Sequence, residues 1–126
     1  SEGKKNGVLE DNLRKDREVA DIQREGFRKG HKAGVRMVYG TDSGVHPHGD
    51  NGKQFRWMVK YGMTPAQAIQ SATANAAEAL GRKDIGVIEA GRYADIVAVK
   101  GNPAQDVSLL EQVDFVMKGG EVVRNP

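Results

Sequence analysis

Between Asp16 and Ala33 the small or apolar residues Val19, Ile22, Gly26, Gly30 and Ala33 recur every three or four positions, with charged side chains between them. That spacing predicts an amphipathic helix. Asp16 and Glu18 stand in its first turn, Arg28, Lys29, His31 and Lys32 in its last, and Gly34 follows, so the charges suit the helix dipole and a glycine stands where the chain leaves. The polar stretch 1–14, with Gly3 and Gly7, reads as a surface loop, and structure is expected from about Lys15. Val35 to Tyr39 is short, branched and without alternation between Gly34 and Gly40, which predicts a strand buried on both faces, as in a parallel sheet. Thr41 to Lys53 is a polar loop crowded with functional groups, the kind of connection that often carries function.

Gln54 to Tyr61 predicts a short helix that buries Phe55, Met58 and Val59 and stops at Gly62. Thr64-Pro65-Ala66-Gln67 supplies a capping hydroxyl, a proline at the first helical position and a glutamine three residues on. The apolar stripe Ala68, Ile69, Ala72, Ala76, Ala79 and Leu80 then predicts one helix ending at Gly81. After Gly86 the period changes. Val87-Ile88, Tyr93 to Val99, Val113 to Met117 and Glu121 to Val123 predict an antiparallel sheet, with Gly119-Gly120 as a two-residue hairpin. A single buried parallel strand needs neighbours on both sides, so the first two-thirds of the chain reads as incomplete by itself.

Composition narrows the function classes. The chain has 126 residues, with 19 basic and 17 acidic side chains for a net charge of +2, too balanced for a dedicated nucleic-acid surface. Apolar runs are a few residues long, far below the ~20 of a membrane span. No cysteine is present, which excludes a disulfide framework, a thiolate zinc site and a cysteine nucleophile and leaves the compartment open. The 16 glycines gather at the ends of periodic segments, as turns and caps. The length suits one domain, and the basic residues of the first helix read as a solvated face.

Six segments together resemble the C-terminal part of a metal-dependent amidohydrolase, in the imidazolonepropionase-like and Xaa-Pro dipeptidase-like branch. In order they are Gly40-Thr41-Asp42-Ser43-Gly44, His48-Gly49-Asp50-Asn51, Gly62 to Ile69, Ala72 to Glu78, Gly86 to Gly91 and Ala94 to Val97. Each is weak alone, and the ordered set is specific. The resemblance implies an α/β fold: the last βα unit of a (β/α)8 barrel, with Val35 to Tyr39 as the eighth strand, followed by strands of a small β-sandwich. The corresponding division is 1–85 for the barrel part and 86–126 for the sandwich strands. A complete barrel takes about 250 residues, so only its final unit fits here.

The resemblance also implies a chemistry: hydrolysis of the C–N bond of a dipeptide, an N-acyl amino acid or a cyclic amide by a hydroxide on one or two zinc ions. The other metal ligands would come from the N-terminal part of the barrel, so zinc binding and turnover are expected only in its company. Asp42, just past the strand, would be metal ligand and general acid/base, taking the water proton and passing it to the leaving nitrogen. On residue types alone, Asp42 also suits a turn aspartate bonding Ser43 or Gly44.

His48 matches the family's His-Gly step and is a candidate to face substrate. His46-Pro47-His48 imitates a metal-binding His pair, but the resemblance puts that pair after the first barrel strand, and His46 reads as solvated. Asp50 and Asn51 suit hydrogen bonds that tie the loop to itself, and His31 suits the helix end. Thr41 and Ser43 lack an evident base partner for a nucleophilic role. Trp57, Met58 and Met63 read as packing.

The expected partners are a small-molecule or dipeptide substrate and the N-terminal part of the barrel, with a homo-oligomer possible and neither nucleic acid nor membrane expected. The alternative from another class is a non-catalytic fragment or interaction module that pairs through its unsatisfied barrel surface.

Overall fold

The computed structural model describes residues 9–44 and 47–126. Of the loop expected over 1–14, positions 1–8 fall outside those residues, as does the reading of His46, while positions 10–14 are helical instead. The first element is α1, Glu10–Lys32, which begins earlier than its apolar stripe predicts. Charge pairing explains the added turns. Arg14 bridges Asp11 at 2.7 Å and Glu18 at 2.6 Å, and Lys15 bridges Asp11 at 2.9 Å, all at helical i, i+3 or i+4 spacing. The helix ends as expected, with Lys29, His31 and Lys32 in the last turn and Gly34 at φ +79°.

Its packed face differs from the predicted one. Val19 and Ile22 are exposed, whereas Leu13, Ala20, Phe27, Gly30 and His31 are half-buried. Phe27 joins a core formed by Met58, Met63 and Ala68, with Met37, Tyr39, Phe55 and Val59 against it. Met58 and Met63 are therefore packing residues. Trp57 is 41% exposed and stacks on Tyr61 with Lys60 over its ring, so it belongs to the surface instead.

Val35 to Tyr39 is extended but is not a strand, because no other strand lies beside it among the described residues. Helices satisfy part of its backbone. The Tyr39 amide donates to the Ser71 carbonyl at 2.9 Å, and Asn75 Nδ2 donates to the Met37 carbonyl at 3.3 Å. With one face covered, burial alternates: Met37, Tyr39, Thr41 and Ser43 are half-buried, and Arg36, Val38, Gly40 and Asp42 are exposed. The expected double-sided burial is thus replaced by the two-residue period of an extended chain resting on helices.

A 3₁₀ turn, Asn51–Lys53, leads into α2, Gln54–Lys60. Next comes α3, Pro65–Ala72, whose start has the predicted capping box: Thr64 Oγ1 accepts from the Gln67 amide at 3.2 Å and Gln67 Oε1 accepts from the Thr64 amide at 2.8 Å. The single helix predicted to Gly81 is broken at Thr73 (φ −125°, ψ −93°), and α4 covers Ala74–Ala79. Side-chain hydroxyls compete with the ladder there. Ser71 Oγ donates to the Ala68 carbonyl at 2.6 Å and Thr73 Oγ1 to the Ile69 carbonyl at 2.9 Å, a back-bonding that bends and weakens helices.

Residues 81–95 wrap α4 without forming the predicted strand at Val87-Ile88. At Gly86 (φ +87°) an added Cβ would lie 2.6 Å from Ala77 Cβ and 2.9 Å from the Thr73 carbonyl, so only glycine fits against the helix break. The antiparallel sheet is present. Its strands are β1 (Ile96–Ala98), β2 (Phe115–Lys118) and β3 (Glu121–Arg124), in that order across the sheet. β1 and β2 pair Ile96 with Met117 and Ala98 with Phe115. Gly119 and Gly120, both at positive φ, form the predicted hairpin, and Lys118 faces Glu121 across it. Among the described residues no helix is long and apolar enough to cross a membrane.

The capping box holds the N-terminus of α3, whose last turn offers the carbonyl that anchors Tyr39. Replacing Thr64→Ala is expected to lower stability by about 1 kcal/mol in urea unfolding, while Thr64→Ser keeps most of it. An unchanged midpoint for the alanine variant would show that the box contributes nothing.

Candidate functional site

Three hydroxyls alternate along the extended segment at Tyr39, Thr41 and Ser43, and all three reach one residue. The Tyr39 hydroxyl donates to the Asn51 backbone carbonyl. Thr41 Oγ1 donates to Asn51 Oδ1 at 3.2 Å, and Ser43 Oγ donates to the same oxygen, with the two hydroxyls 3.0 Å apart. An amide oxygen has two lone pairs, so Thr41 and Ser43 fill the acceptor capacity of Asn51 Oδ1.

Asp42 lies between those two bonded neighbours. It has φ +49°, the sole non-glycine residue at positive φ among the described residues. Aspartate tolerates this left-handed region better than most residues, though at some cost, and such positions concentrate at functional sites. Asp42 is exposed and makes no hydrogen bond or ion pair among the described residues, so the Asx bond to Ser43 or Gly44 is not formed.

The loop that carries Asn51 is itself fixed. The Gly49 and Asp50 amides both donate to the Pro47 carbonyl at 3.1 Å, and Lys53 Nζ donates to Asp50 Oδ2 at 2.8 Å. A Cβ on Gly52 would lie 2.4 Å from the Leu110 carbonyl oxygen, so glycine is required where the loop presses on the 3₁₀ helix Val107–Glu111. Arg56 pairs with Glu111 at 3.3 Å across the same contact. The expectation that Asp50 and Asn51 bind the loop to itself therefore holds.

Burial pushes the Tyr39 phenol up to about 12, against a smaller opposing pull from the Gln54 backbone. The hydroxyl consequently keeps its proton at every physiological pH and remains a donor to Asn51. Its ring lies 4.4 Å from that of Phe55, on the edge of the apolar core. A cleft of about 250 Å³ opens beside the loop, and Thr41, Ser43, Asn51 and Trp57 line it while Asp42 does not. Asp42 thus lies apart from the hollow that its neighbours form.

His48 is exposed and makes no hydrogen bond or ion pair among the described residues. No three His, Cys, Asp or Glu side chains among the described residues come close enough to hold a metal ion. Asp42 can offer one carboxylate ligand, and one carboxylate is not a zinc site. Reading residue types one at a time missed the hydroxyl alternation Tyr39, Thr41, Ser43, although that period is visible in the sequence. Gly52 left no such sign, because its constraint lies in a contact with residues almost sixty positions away.

The sequence matches the amidohydrolase family across residues 1–123. It is 32% identical over 126 residues to ochratoxinase of Aspergillus niger, covering 95% of this chain and 26% of that protein. Over 65 residues it is 45% identical to imidazolonepropionase of Shouchella clausii strain KSM-K16, covering 48% of this chain and 14% of that one. The fold superposes on the crystal structure of a Xaa-Pro dipeptidase with methionine bound in its active site. There the TM-score is 0.78 and the identity 48%, covering 81% of this chain and 25% of that one. The chain thus spans about a quarter of the length of ochratoxinase and of the dipeptidase.

Two measurements test this geometry. Gly52→Ala drives a methyl into the Leu110 carbonyl and is expected to destabilise the protein by about 1–3 kcal/mol, read from thermal unfolding; wild-type stability would show that the contact is loose. Phenolate absorbance should show one of the three tyrosines titrating near 12, and Tyr39→Phe should remove it. Since the folded state raises this pKa above the ordinary value of about 10, the associated stability is complete below pH 10 and is lost as pH rises through 12. A Tyr39 phenol that titrates near the ordinary value of about 10 would contradict its burial.

Proposed function

The chain belongs to the amidohydrolase family, and from that membership we propose that it is the C-terminal segment of a metal-dependent hydrolase of C–N bonds, with Asp42 as general acid/base. Val35 to Tyr39 is then the last strand of a (β/α)8 barrel, residues 1–85 are barrel and 86–126 are sandwich strands. One observation carries the reading: Asp42 is a carboxylate in the left-handed region with no partner among the described residues, directly after an extended segment whose opposite face is tied to helices. Barrel enzymes place their chemistry at that end of their strands. The exposed side chains of Val38 and Asp42 would look into the barrel, beside strands contributed by the N-terminal part.

Zinc, when held by Asp42 together with ligands from that other part, supplies a hydroxide at neutral pH by acidifying bound water. Asp42 handles the proton. A carboxylate oxygen of Asp42 takes it from the attacking water as the new C–O bond forms. The same oxygen returns it to the nitrogen as the C–N bond breaks, so the carboxylate is regenerated. Asp42 makes no hydrogen bond among the described residues, which leaves both its oxygens for these roles. His48, exposed on the same loop, would face the substrate. The substrate would be a dipeptide, an N-acyl amino acid or a cyclic amide, a range supported by the names of the similar Xaa-Pro dipeptidase and imidazolonepropionase.

The test is the kinetics of the protein that joins this chain to the rest of the barrel. Asp42→Asn is expected to lower kcat on a dipeptide by about 10²–10⁴-fold, the usual worth of a positioned acid/base group, with the fold intact by circular dichroism. Turnover within a few-fold of wild type would remove Asp42 from the reaction.

A further inference from the structure

The geometry points to Asn51 as the positioning residue of Asp42, an inference that rests on the proposed role of that carboxylate. A non-glycine residue at positive φ persists only where its surroundings over-determine it. Here the residues on either side of Asp42 are fixed by a shared acceptor. Thr41 Oγ1 and Ser43 Oγ both donate to Asn51 Oδ1, and their bonds converge from either side of the φ +49° residue. The same asparagine is held from behind, where its backbone carbonyl accepts from the Tyr39 hydroxyl. Its neighbour Gly52 rests on the Leu110 carbonyl, which fixes the Asn51 backbone against the 3₁₀ helix Val107–Glu111.

The consequence is one of direction. With residues 39, 41 and 43 tied to Asn51, the residue between the last two has its own side chain directed away from that contact, and Asp42 is accordingly exposed while its neighbours are half-buried. Among the described residues Asn51 bonds to Tyr39, Thr41 and Ser43 and not to Asp42 itself. It acts by holding the peptide units that flank the carboxylate, so its removal should misplace Asp42 without removing it. Misplacement of this kind by about 1 Å costs on the order of 10²-fold in rate.

The experiment compares five variants, Asp42→Asn among them, in the protein that contains the whole barrel, with metal content measured for each. Asn51→Ala is expected to lower kcat by about 10- to 100-fold with KM within a few-fold of wild type. Asn51→Asp keeps an acceptor oxygen in place and should recover most of that loss. The pair Thr41→Val with Ser43→Ala removes both donors while leaving Asn51 in place, and should reproduce the alanine variant even if Asn51→Ala itself fails to fold.

Combining Asn51→Ala with Asp42→Asn should be no slower than Asp42→Asn alone, because one residue works through the other. Independently of turnover, the three-bond amide–α-proton coupling of Asp42 should leave its left-handed value in Asn51→Ala. A large loss in Asp42→Asn with wild-type kcat and coupling in both Asn51→Ala and the double-donor variant would overturn the positioning role and leave the proposed function standing. No loss in Asp42→Asn would overturn the proposed function, while the coupling would still decide whether Asn51 sets the backbone of Asp42. Additive losses in the combined variant would show that Asn51 does not act through Asp42.

Discussion

Three hydroxyls on one face of an extended segment meet the two carbonyls of Asn51, and the rest of the site depends on that convergence. An isolated extended chain has no reason to keep one face inward. This segment does so because Tyr39 packs on Phe55 and donates its amide to the Ser71 carbonyl, and because Thr41 and Ser43 both donate to Asn51 on that side. A two-residue period then forces the alternate positions outward. Asp42 is left exposed, and without a partner among the described residues, by the same contacts that bury its neighbours.

The helices and the sheet serve this segment from two directions. The capped α3 ends at Ala72, and the loss of helical register that follows frees carbonyls near its end, one of which, on Ser71, receives the Tyr39 amide. From the other side the sheet module reaches the loop through Leu110 and Glu111, which meet Gly52 and Arg56. The loop is therefore clamped between the core around Met58 and the 3₁₀ helix before β2. A polar loop of this length would otherwise have the entropy of an unpinned connection.

Features that depend on neighbours in sequence were legible from it. Thr64 to Gln67 encode a capping box in four residues, Gly119-Gly120 a hairpin in two, and Gly34 a helix end in one. Features that depend on distant partners were not. Val35 to Tyr39 has the composition of a buried strand, but a strand needs a ladder, and here a Ser71 carbonyl and an Asn75 amide stand in for part of one. The break at Thr73 comes from competition between hydroxyls and the helix ladder, which an apolar stripe does not register. The packed face of α1 follows Phe27 and Gly30 because Met37 sits 3.1 Å from where a Gly30 Cβ would be, a contact that periodicity within the helix cannot reveal. At the site, the ordered motifs singled out Asp42 and the loop, and the part played by Asn51 emerged only once the three hydroxyls were seen to converge.

The proposed role of Asp42 depends on where its carboxylate goes when the rest of the barrel is present. The most direct measurement is anomalous diffraction at the metal edge from crystals of the protein joining this chain to the remaining strands, grown with zinc. An Asp42 oxygen is expected about 2.0–2.2 Å from a metal ion, with Thr41 and Ser43 still donating to Asn51. A metal bound with Asp42 turned away into solvent, or with Thr41 and Ser43 released from Asn51, would contradict it.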